Sequence, residues 1–255
     1  MPTVPDAIIL SDLHLGAAVC QASTIAEFLE SIHDGLTPTK RLILNGDVFD
    51  SIDFRRLNKK HWNVLSLLRK LSNDIDVVWV CGNHDGSAEI VSHLLGLRVV
   101  EQVIFQSGSN DVLVLHGHQF DKFIERYPVT TRVADWVYRR LQQLDRSHSF
   151  AKMAKRNSKM FLRSTELIRA GALRTAEELG CDIVCCGHTH LPIEDRSGPI
   201  QYFNSGCWTE KPCHYLEAID GNVYLRAYVD PSAETVTDLP AVRSNGFRQP
   251  AFAGA

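Results

Sequence analysis

The chain has 255 residues, of which 44% are hydrophobic and 22% charged, and its formal net charge is −3. These values are ordinary for a globular protein, so they argue against intrinsic disorder and allow one large domain with an insertion. The seven cysteines are irregularly spaced, which disfavours a disulfide framework and favours small core residues in a reducing compartment.

Targeting signals are not evident in the sequence. The N-terminus has no basic start followed by a long apolar stretch, so we expect no signal peptide. No segment approaches the roughly 18 consecutive apolar residues of a membrane-spanning helix. These features predict a cytoplasmic protein.

Five short apolar runs, each followed by polar residues, predict buried strands. The runs are Ala7–Leu10, Arg41–Leu44, Asp76–Val80, Val112–Leu115 and Ile183–Cys186. Apolar residues at helical spacing predict intervening helices over Ser23–His33 and His61–Leu71, and a third helix is expected over Ser87–Leu95. The alternation of strands and helices implies an α/β fold.

The segment 122–174 lacks this rhythm and carries thirteen Lys or Arg against four acidic residues, a local net charge of +9. We expect a basic helical insertion between two core segments, 1–121 and 175–230. One interpretation is a solvated helical face that packs on the core. The other is an amphipathic lid that attracts phosphates or an anionic membrane surface, which would place the protein peripherally on the inner face of the membrane.

The last part of the chain predicts three further strands, over Ile200–Phe203, Tyr215–Ile219 and Val223–Val229. The dipeptide Asp220-Gly221 between the last two strands is typical of a hairpin turn. Residues 231–255 are rich in Pro, Ser, Asn, Gly and Ala, which predicts a loosely ordered tail.

The polar residues behind the five runs can meet at one edge of the fold, since loops outside strand ends converge. They supply carboxylates, imidazoles and an amide, a set that favours Mn²⁺, with Fe or Zn²⁺ as alternatives, over Ca²⁺. Asp12 and His14 are two residues apart and can reach one ion, and His188 and His190 repeat that spacing. One such pair is weak evidence, but five clusters behind predicted strands indicate two divalent cations.

The five clusters resemble the five motifs of the calcineurin-like metallophosphoesterases. They are Ser11-Asp12-Leu13-His14, Gly46-Asp47-Val48-Phe49-Asp50, Gly82-Asn83-His84-Asp85, His116-Gly117-His118 and Gly187-His188-Thr189-His190. The resemblance implies a four-layer sandwich of two mixed β-sheets flanked by helices. It also implies a first metal on Asp12, His14 and His190, a second on Asn83, His116 and His188, and Asp47 as the bridge.

By the same resemblance, a metal-activated hydroxide would hydrolyse a phosphoester, with His84 as the catalytic histidine. Asp85 is expected to orient His84, and Asp50 to orient a metal-bound imidazole. For either aspartate the alternative is a loop cap. His118 is either a substrate contact or a solvated loop residue.

Within that family the chain is most similar to the UDP-2,3-diacylglucosamine hydrolases of lipid A biosynthesis, in length, in the insertion after His116 and in the segment 202–210. This similarity implies cleavage of a nucleotide diphospho-lipid with release of UMP. His84 and His118 stand where that group tends to carry Arg and Asp. A phosphomonoesterase, a phosphodiesterase with another substrate, and a catalytically silent binding module therefore remain as alternatives, whereas no recognised motif indicates nucleic-acid binding.

Overall fold

The computed structural model describes residues 3–87, 92–93, 95–121 and 159–229. Within these residues the chain forms eleven strands and three α-helices. The strands are β1 Ala7–Leu10, β2 Arg41–Asn45, β3 Asp76–Val80, β4 Arg98–Val100, β5 Gln102–Ser107, β6 Asn110–Leu115, β7 Ile183–Cys186, β8 Ile193–Asp195, β9 Gln201–Asn204, β10 His214–Ile219 and β11 Asn222–Ala227. The helices are α1 Ala22–His33, α2 Lys59–Leu71 and α3 Lys159–Leu179.

The strands form two mixed sheets. The first has the order β11-β10-β1-β2-β3-β4, in which β1 to β4 are parallel and β10 runs antiparallel to β1. The second has the order β5-β6-β7-β9-β8, with β6, β7 and β9 parallel and both edge strands antiparallel. Ile219 pairs with Asn222, which confirms the hairpin predicted at Asp220-Gly221.

Alternation along each strand places side chains in different layers of the core. In β1, Ile8 and Leu10 join the cluster formed with α1 and α2, whereas Ile9 joins the cluster between the two sheets. On the outer face of the second sheet, Ala172 and Ala176 of α3 pack against β6 and β7. The four layers confirm the predicted α/β sandwich, and burial on both faces explains why the strand runs are uninterruptedly apolar.

Three strands were not predicted from the sequence. β5 alternates buried Val103 and Phe105 with exposed Ile104, but because Ile104 is also apolar the sequence itself shows no alternation of apolar and polar residues. β4 and β8 have three residues each and lack a fully apolar run, so periodicity carries little signal for them.

The helix α2 begins earlier than predicted because Asn58 and His61 form a capping box. The side chain of Asn58 accepts hydrogen bonds from the backbone N–H of Lys60 at 2.9 Å and of His61 at 3.3 Å. In return, Nδ1 of His61 accepts the backbone N–H of Asn58 at 3.1 Å. This reciprocal cap starts the helix at Lys59, two residues before the predicted start at His61.

Several predictions fall wholly or partly outside the described residues. These are most of the expected helix over Ser87–Leu95, residues 122–158 of the expected insertion, and the expected tail 231–255. The remainder of the insertion segment lies in α3, which continues past residue 174 to Leu179 and contributes to the core.

Candidate active site

The loops that follow five strands bring the predicted site residues together. In the first sheet, Asp12 and His14 follow β1, Asp47 follows β2 and His84 follows β3. In the second sheet, His116 follows β6 directly.

His188 and His190 come after β7 of the second sheet. The backbone N–H of His188 donates to Oδ2 of Asp12 at 3.0 Å, a hydrogen bond that joins the two sheets. The site therefore lies where the strand ends of both sheets meet.

Five of the predicted metal ligands have a left-handed backbone, a conformation that residues other than glycine seldom adopt. Their φ angles are 55° for Asp12, 49° for His14, 52° for Asp47, 65° for His188 and 59° for His190. Such conformations cluster at functional sites, where the surrounding structure has to hold them in place. The backbone thus marks this site independently of the side-chain chemistry.

Backbone hydrogen bonds between neighbouring loops hold these conformations. The N–H of Asp12 donates to the carbonyl of Gly46 at 3.0 Å, and the N–H of His14 donates to the carbonyl of Asp47 at 2.9 Å. Asp47 is held in turn by the N–H of His84, which donates to its Oδ1 at 2.9 Å. The loops after β1, β2 and β3 therefore form one connected unit.

The described residues contain three groups of His and Asp side chains that could hold a metal ion, and within each group the donor atoms lie within 4.8 Å of one another. The groups are Asp12, His14 and His190; Asp47, His116 and His188; and His14, Asp50 and His84. The first two agree with the division between two metals that the family resemblance implies. The third includes His84, which was predicted as a catalytic residue and not as a ligand.

The carboxylate of Asp47 stands between these groups. Its Oδ2 lies 3.4 Å from Nε2 of His116, 3.9 Å from Nε2 of His14 and 4.0 Å from Nε2 of His84. On the side of the first group, Nε2 of His190 lies 3.1 Å from both Nε2 of His14 and Oδ1 of Asp12. One carboxylate oxygen thus faces imidazoles from both groups.

The donor set fits divalent cations on an observation independent of the family. Oδ1 of Asp12, although it lies 3.1 Å from Nε2 of His190, and Nε2 of His116 are buried without a hydrogen bond of acceptable geometry, whereas polar atoms at such depth are normally paired. Nδ1 of His116 contacts the backbone carbonyl of Asn45 at 2.7 Å, so Nδ1 is the donor, and in the neutral ring that binds a cation the lone pair lies on Nε2. A cation would satisfy both atoms.

Electrostatic coupling shifts the titration of the cluster. Burial opposes the charged imidazoles, but the neighbouring carboxylates of Asp12 and Asp50 raise the pKa of His14 to about 10, and the charge of Asp47 raises the pKa of His116 to about 9. Burial also opposes the charged carboxylates, yet the charge of His190 holds the pKa of Asp12 well below its usual range, and His116 does the same for Asp47. Carboxylates and imidazoles therefore stabilise each other's charged forms.

Asp50 and Asp85 have different surroundings. Oδ1 of Asp50 lies 3.6 Å from Nδ1 of His14, and its other oxygen pairs with Arg56, a placement that suits the predicted orientation of an imidazole ligand. Asp85 is fully buried and accepts hydrogen bonds from the N–H of Phe49 at 3.0 Å and Gly82 at 2.9 Å and from the Trp79 indole at 3.1 Å.

The expected contact by which Asp85 would orient His84 is therefore not observed. Nδ1 of His84 instead contacts the backbone carbonyl of Asp50 at 2.9 Å. The carboxylate of Asp85 joins the loop after β3 to the loop after β2, because burial draws it to the backbone donors of both loops.

Asn83 and His118 complete the set of predicted residues. Asn83 is exposed in the loop immediately before His84, and its role as a ligand stays a prediction. The ring of His118 lies 5.5 Å from that of His116 and 6.4 Å from that of His188. Burial and these two imidazoles lower the pKa of His118 to about 4. His118 is thus half-buried beside the cluster.

Two residues that touch the cluster were missed in the sequence. Asn45 is buried at the end of β2, where its side chain donates to the carbonyl of Leu115 at 3.1 Å and its own carbonyl contacts His116. The only feature of the sequence that pointed to Asn45 was its position as a polar residue at the end of an apolar run. Asp121 lies 3.3 Å from Nε2 of His188, and no local pattern distinguished it.

Comparisons with known proteins agree with this arrangement. Residues 7–192 match the family described as calcineurin-like phosphoesterase, a stretch that includes all of the predicted site residues. The chain belongs to this family. As a calcineurin-like phosphoesterase it is a metal-dependent phosphohydrolase, and its Asp and His groups could hold divalent metal.

Solved structures similar to this calcineurin-like phosphoesterase include Yfce, a phosphoesterase from E. coli, with 15% identity, coverage of 83% of this chain and 86% of that chain, and a TM-score of 0.45. An archaeal phosphodiesterase has 14% identity, coverage of 87% and 99%, and a TM-score of 0.45. Vps29 in complex with zinc from Entamoeba histolytica has 16% identity, coverage of 87% and 97%, and a TM-score of 0.42. No curated protein matches the sequence.

None of the helices in the described part of the chain combines the length and the apolar character needed to cross a bilayer.

Proposed function

We propose that this phosphohydrolase holds two divalent cations, Mn²⁺ in preference to Fe or Zn²⁺, and cleaves a phosphodiester or pyrophosphate bond of a nucleotide-lipid such as UDP-2,3-diacylglucosamine. The observation that carries the two-cation proposal is the position of Asp47 Oδ2, which faces imidazoles of both ligand groups. A carboxylate shared in this way keeps two cations close enough to act on one phosphoryl group.

Asp12, His14 and His190 would hold one cation, and Asn83, His116 and His188 the other, with Asp47 as the shared ligand. When bound, the two cations lower the pKa of water toward about 7 and neutralise the phosphoryl oxygens. The mixed set of imidazole and carboxylate donors favours Mn²⁺, Fe or Zn²⁺ over Ca²⁺.

The proposed part of His84 is to hold a proton for the leaving oxygen. Its Nδ1 contacts a backbone carbonyl, which can only accept a hydrogen bond, so Nδ1 carries a proton. Nε2 then faces the cluster, 4.0 Å from Oδ2 of Asp47, and is the atom that can take up a second proton and pass it on. The contact with the loop after β2 fixes the ring for that transfer.

The decisive experiment is to remove metal with a chelator, reload the protein with Mn²⁺, Fe²⁺ or Zn²⁺, and compare three substrates. These are UDP-2,3-diacylglucosamine, a chromogenic phosphodiester and the matching phosphomonoester. We expect release of UMP, hydrolysis of the diester in preference to the monoester, and no activity after chelation. Two bound ions without hydrolysis of any substrate would instead indicate a binding module.

Two residues favour the alternative function, a phosphomonoesterase or a phosphodiesterase that acts on another substrate. His84 and His118 stand where the diacylglucosamine hydrolases tend to carry Arg and Asp, and both side chains lie at the cluster. Preference for the monoester, or diester cleavage without release of UMP, would assign the protein to this alternative.

A further inference from the structure

The side chain of Asp121 links the metal cluster to α3. Its Oδ2 lies 3.3 Å from Nε2 of His188 and accepts the hydroxyl of Ser164, on α3, at 3.0 Å. The side chains of Asp121 and His188 are each only 10% exposed, so water screens the contact weakly.

The backbone holds His188 in place from the opposite side. Its N–H is bound to the carboxylate of Asp12, and its φ of 65° is in the left-handed region. These contacts fix the position of the His188 backbone, but they do not determine which ring nitrogen carries the proton. The hydrogen-bond partner of the imidazole ring determines this tautomer.

A carboxylate without a proton can only accept a hydrogen bond, so Asp121 selects the form of His188 with a proton on Nε2. The lone pair is then on Nδ1, the nitrogen left for a cation in the group of Asp47, His116 and His188. Ser164 restricts the carboxylate in turn, because its hydroxyl donates to the same oxygen. A hydrogen-bond acceptor also fixes the tautomer of His116, where the carbonyl of Asn45 keeps the proton on Nδ1.

We propose that Asp121 is a positioning residue that sets the tautomer and orientation of His188 for one of the two cations, and that Ser164 ties this function to α3. The inference rests on the proposed two-cation function. Carboxylates that orient a metal-bound imidazole typically change metal affinity by about 10–100-fold when they are removed.

The test is a titration of metal-free full-length protein with Mn²⁺, comparing wild type with Asp121→Asn and Asp121→Ala. We expect two ions to bind in every case, with the dissociation constant of one raised about 10–100-fold in Asp121→Ala and that of the other unchanged. The dissociation constant in Asp121→Asn should lie between those of wild type and Asp121→Ala, since an amide oxygen can still accept the hydrogen bond. Glu166→Gln, an exposed change on α3, is the matched control and should behave as wild type.

A second readout reports the tautomer directly. In Zn²⁺-loaded protein, ¹H–¹⁵N spectra should show a protected proton on Nε2 of His188, and Asp121→Ala should make it exchange faster with water. Ser164→Ala should shift the same signal less. Thermal unfolding of each variant separates these effects from a loss of folding.

Two results would overturn the inference. The first is an unchanged isotherm and an unchanged Nε2–H signal in Asp121→Ala. The second is a loss of one whole equivalent of metal, since Asp121 would then be a ligand itself. If wild type binds fewer than two ions, the proposed function fails instead, so the two failures are distinguishable.

Discussion

Asp47 is the residue on which the site depends most, because its two oxygens have separate tasks. Oδ1 accepts the backbone N–H of His84, and Oδ2 faces the imidazoles of His14, His84 and His116. Removing this carboxylate would also leave the imidazole of His116 without the counter-charge that lies 3.4 Å from its Nε2.

We therefore expect Asp47→Ala to lose both metal ions, measured as metal content per chain by elemental analysis after gel filtration. Asp76→Ala is a suitable control, since its carboxylate is half-exposed and pairs with Arg41 at the opposite end of the strands. Retention of one ion at full occupancy in Asp47→Ala would contradict the bridging role.

His84 gives a contrasting prediction, because its Nδ1 is bound to the protein backbone and its Nε2 lies at the edge of the cluster. His84→Ala should keep nearly all of its metal and lose turnover by about 10²-fold or more, as expected for a proton donor. Elemental analysis and steady-state kinetics, with His33→Ala on α1 as the control, make the comparison. Loss of metal in His84→Ala would mean that the third group, with His14 and Asp50, is a true ligand set.

The types and the order of the residues in the sequence predicted which residues form the site, but they did not predict the contacts between those residues. Asp85 looked like a partner of His84 because it is the next residue, yet its side chain turns to backbone donors of two loops. Asp121 had no pattern around it and reaches His188 across 67 positions of sequence. Contacts between residues so far apart follow only from the packing of the sheets.

Among the elements, the loop after β3 packs closely against the loop after β2 at Gly82. A Cβ atom on Gly82 would lie 2.2 Å from the backbone nitrogen of Asp47 and 2.3 Å from its Oδ1. Such distances force the loops after β2 and β3 apart.

We expect Gly82→Ala to reduce metal content and to lower the melting temperature, because the shared ligand is displaced and the hydrogen bond from His84 is broken. Gly198→Ala is a matched control, since a Cβ there would meet its nearest atom at 3.4 Å. Elemental analysis and thermal unfolding are the measurements. Metal content equal to wild type in Gly82→Ala would show that these loops can separate without harm to the cluster.

Strand elements were predictable where both faces are buried, as in β1, β3 and β7, whose bounds agree with the predicted runs. The edge strands β4 and β8 were not predicted, because they have only three residues each and are partly exposed. The boundary drawn at residue 174 rested on the basic charge of the segment and on its lack of the strand rhythm. α3 crosses that boundary, and its small residues Ala172 and Ala176 pack on the second sheet.

For the whole molecule, the clusters make stability depend on pH. The pKa of His14 and of His116 is raised above the unfolded value of about 6.5, so their contribution to stability is complete below that pH and is lost as pH rises through about 9 to 10. The pKa of Asp12 and of Asp47 is lowered, so their contribution is present above about pH 4 and is lost on acidification.

We therefore expect the melting temperature of chelator-treated protein to fall between pH 6.5 and pH 10, and to fall again below pH 4. His33→Ala should leave this profile unchanged, since His33 lies outside the cluster. A melting temperature that stays constant from pH 6.5 to pH 10 would contradict the coupling of these imidazoles to the carboxylates.

The charge distribution gives a second prediction for the whole molecule. Residues 122–174 carry a net charge of +9, while the rest of the chain carries −12. If this segment is a lid that contacts anionic lipid, the protein should co-sediment with vesicles containing anionic phospholipid at low salt and be released at high salt. Vesicles of neutral phospholipid are the control, and equal binding to both kinds would contradict an electrostatic attachment.

The division of the ligands between two sheets has a mechanical consequence. Asp12 and Asp47 extend from the first sheet, whereas His116 and His188 extend from the second. A pair of cations would act as a cross-link between the two halves of the sandwich, and each bound cation would add about 2.7 kcal/mol to the free energy of unfolding when the free cation is about 100 times its dissociation constant. Metal supply would then govern how long the folded enzyme survives as well as how fast it works.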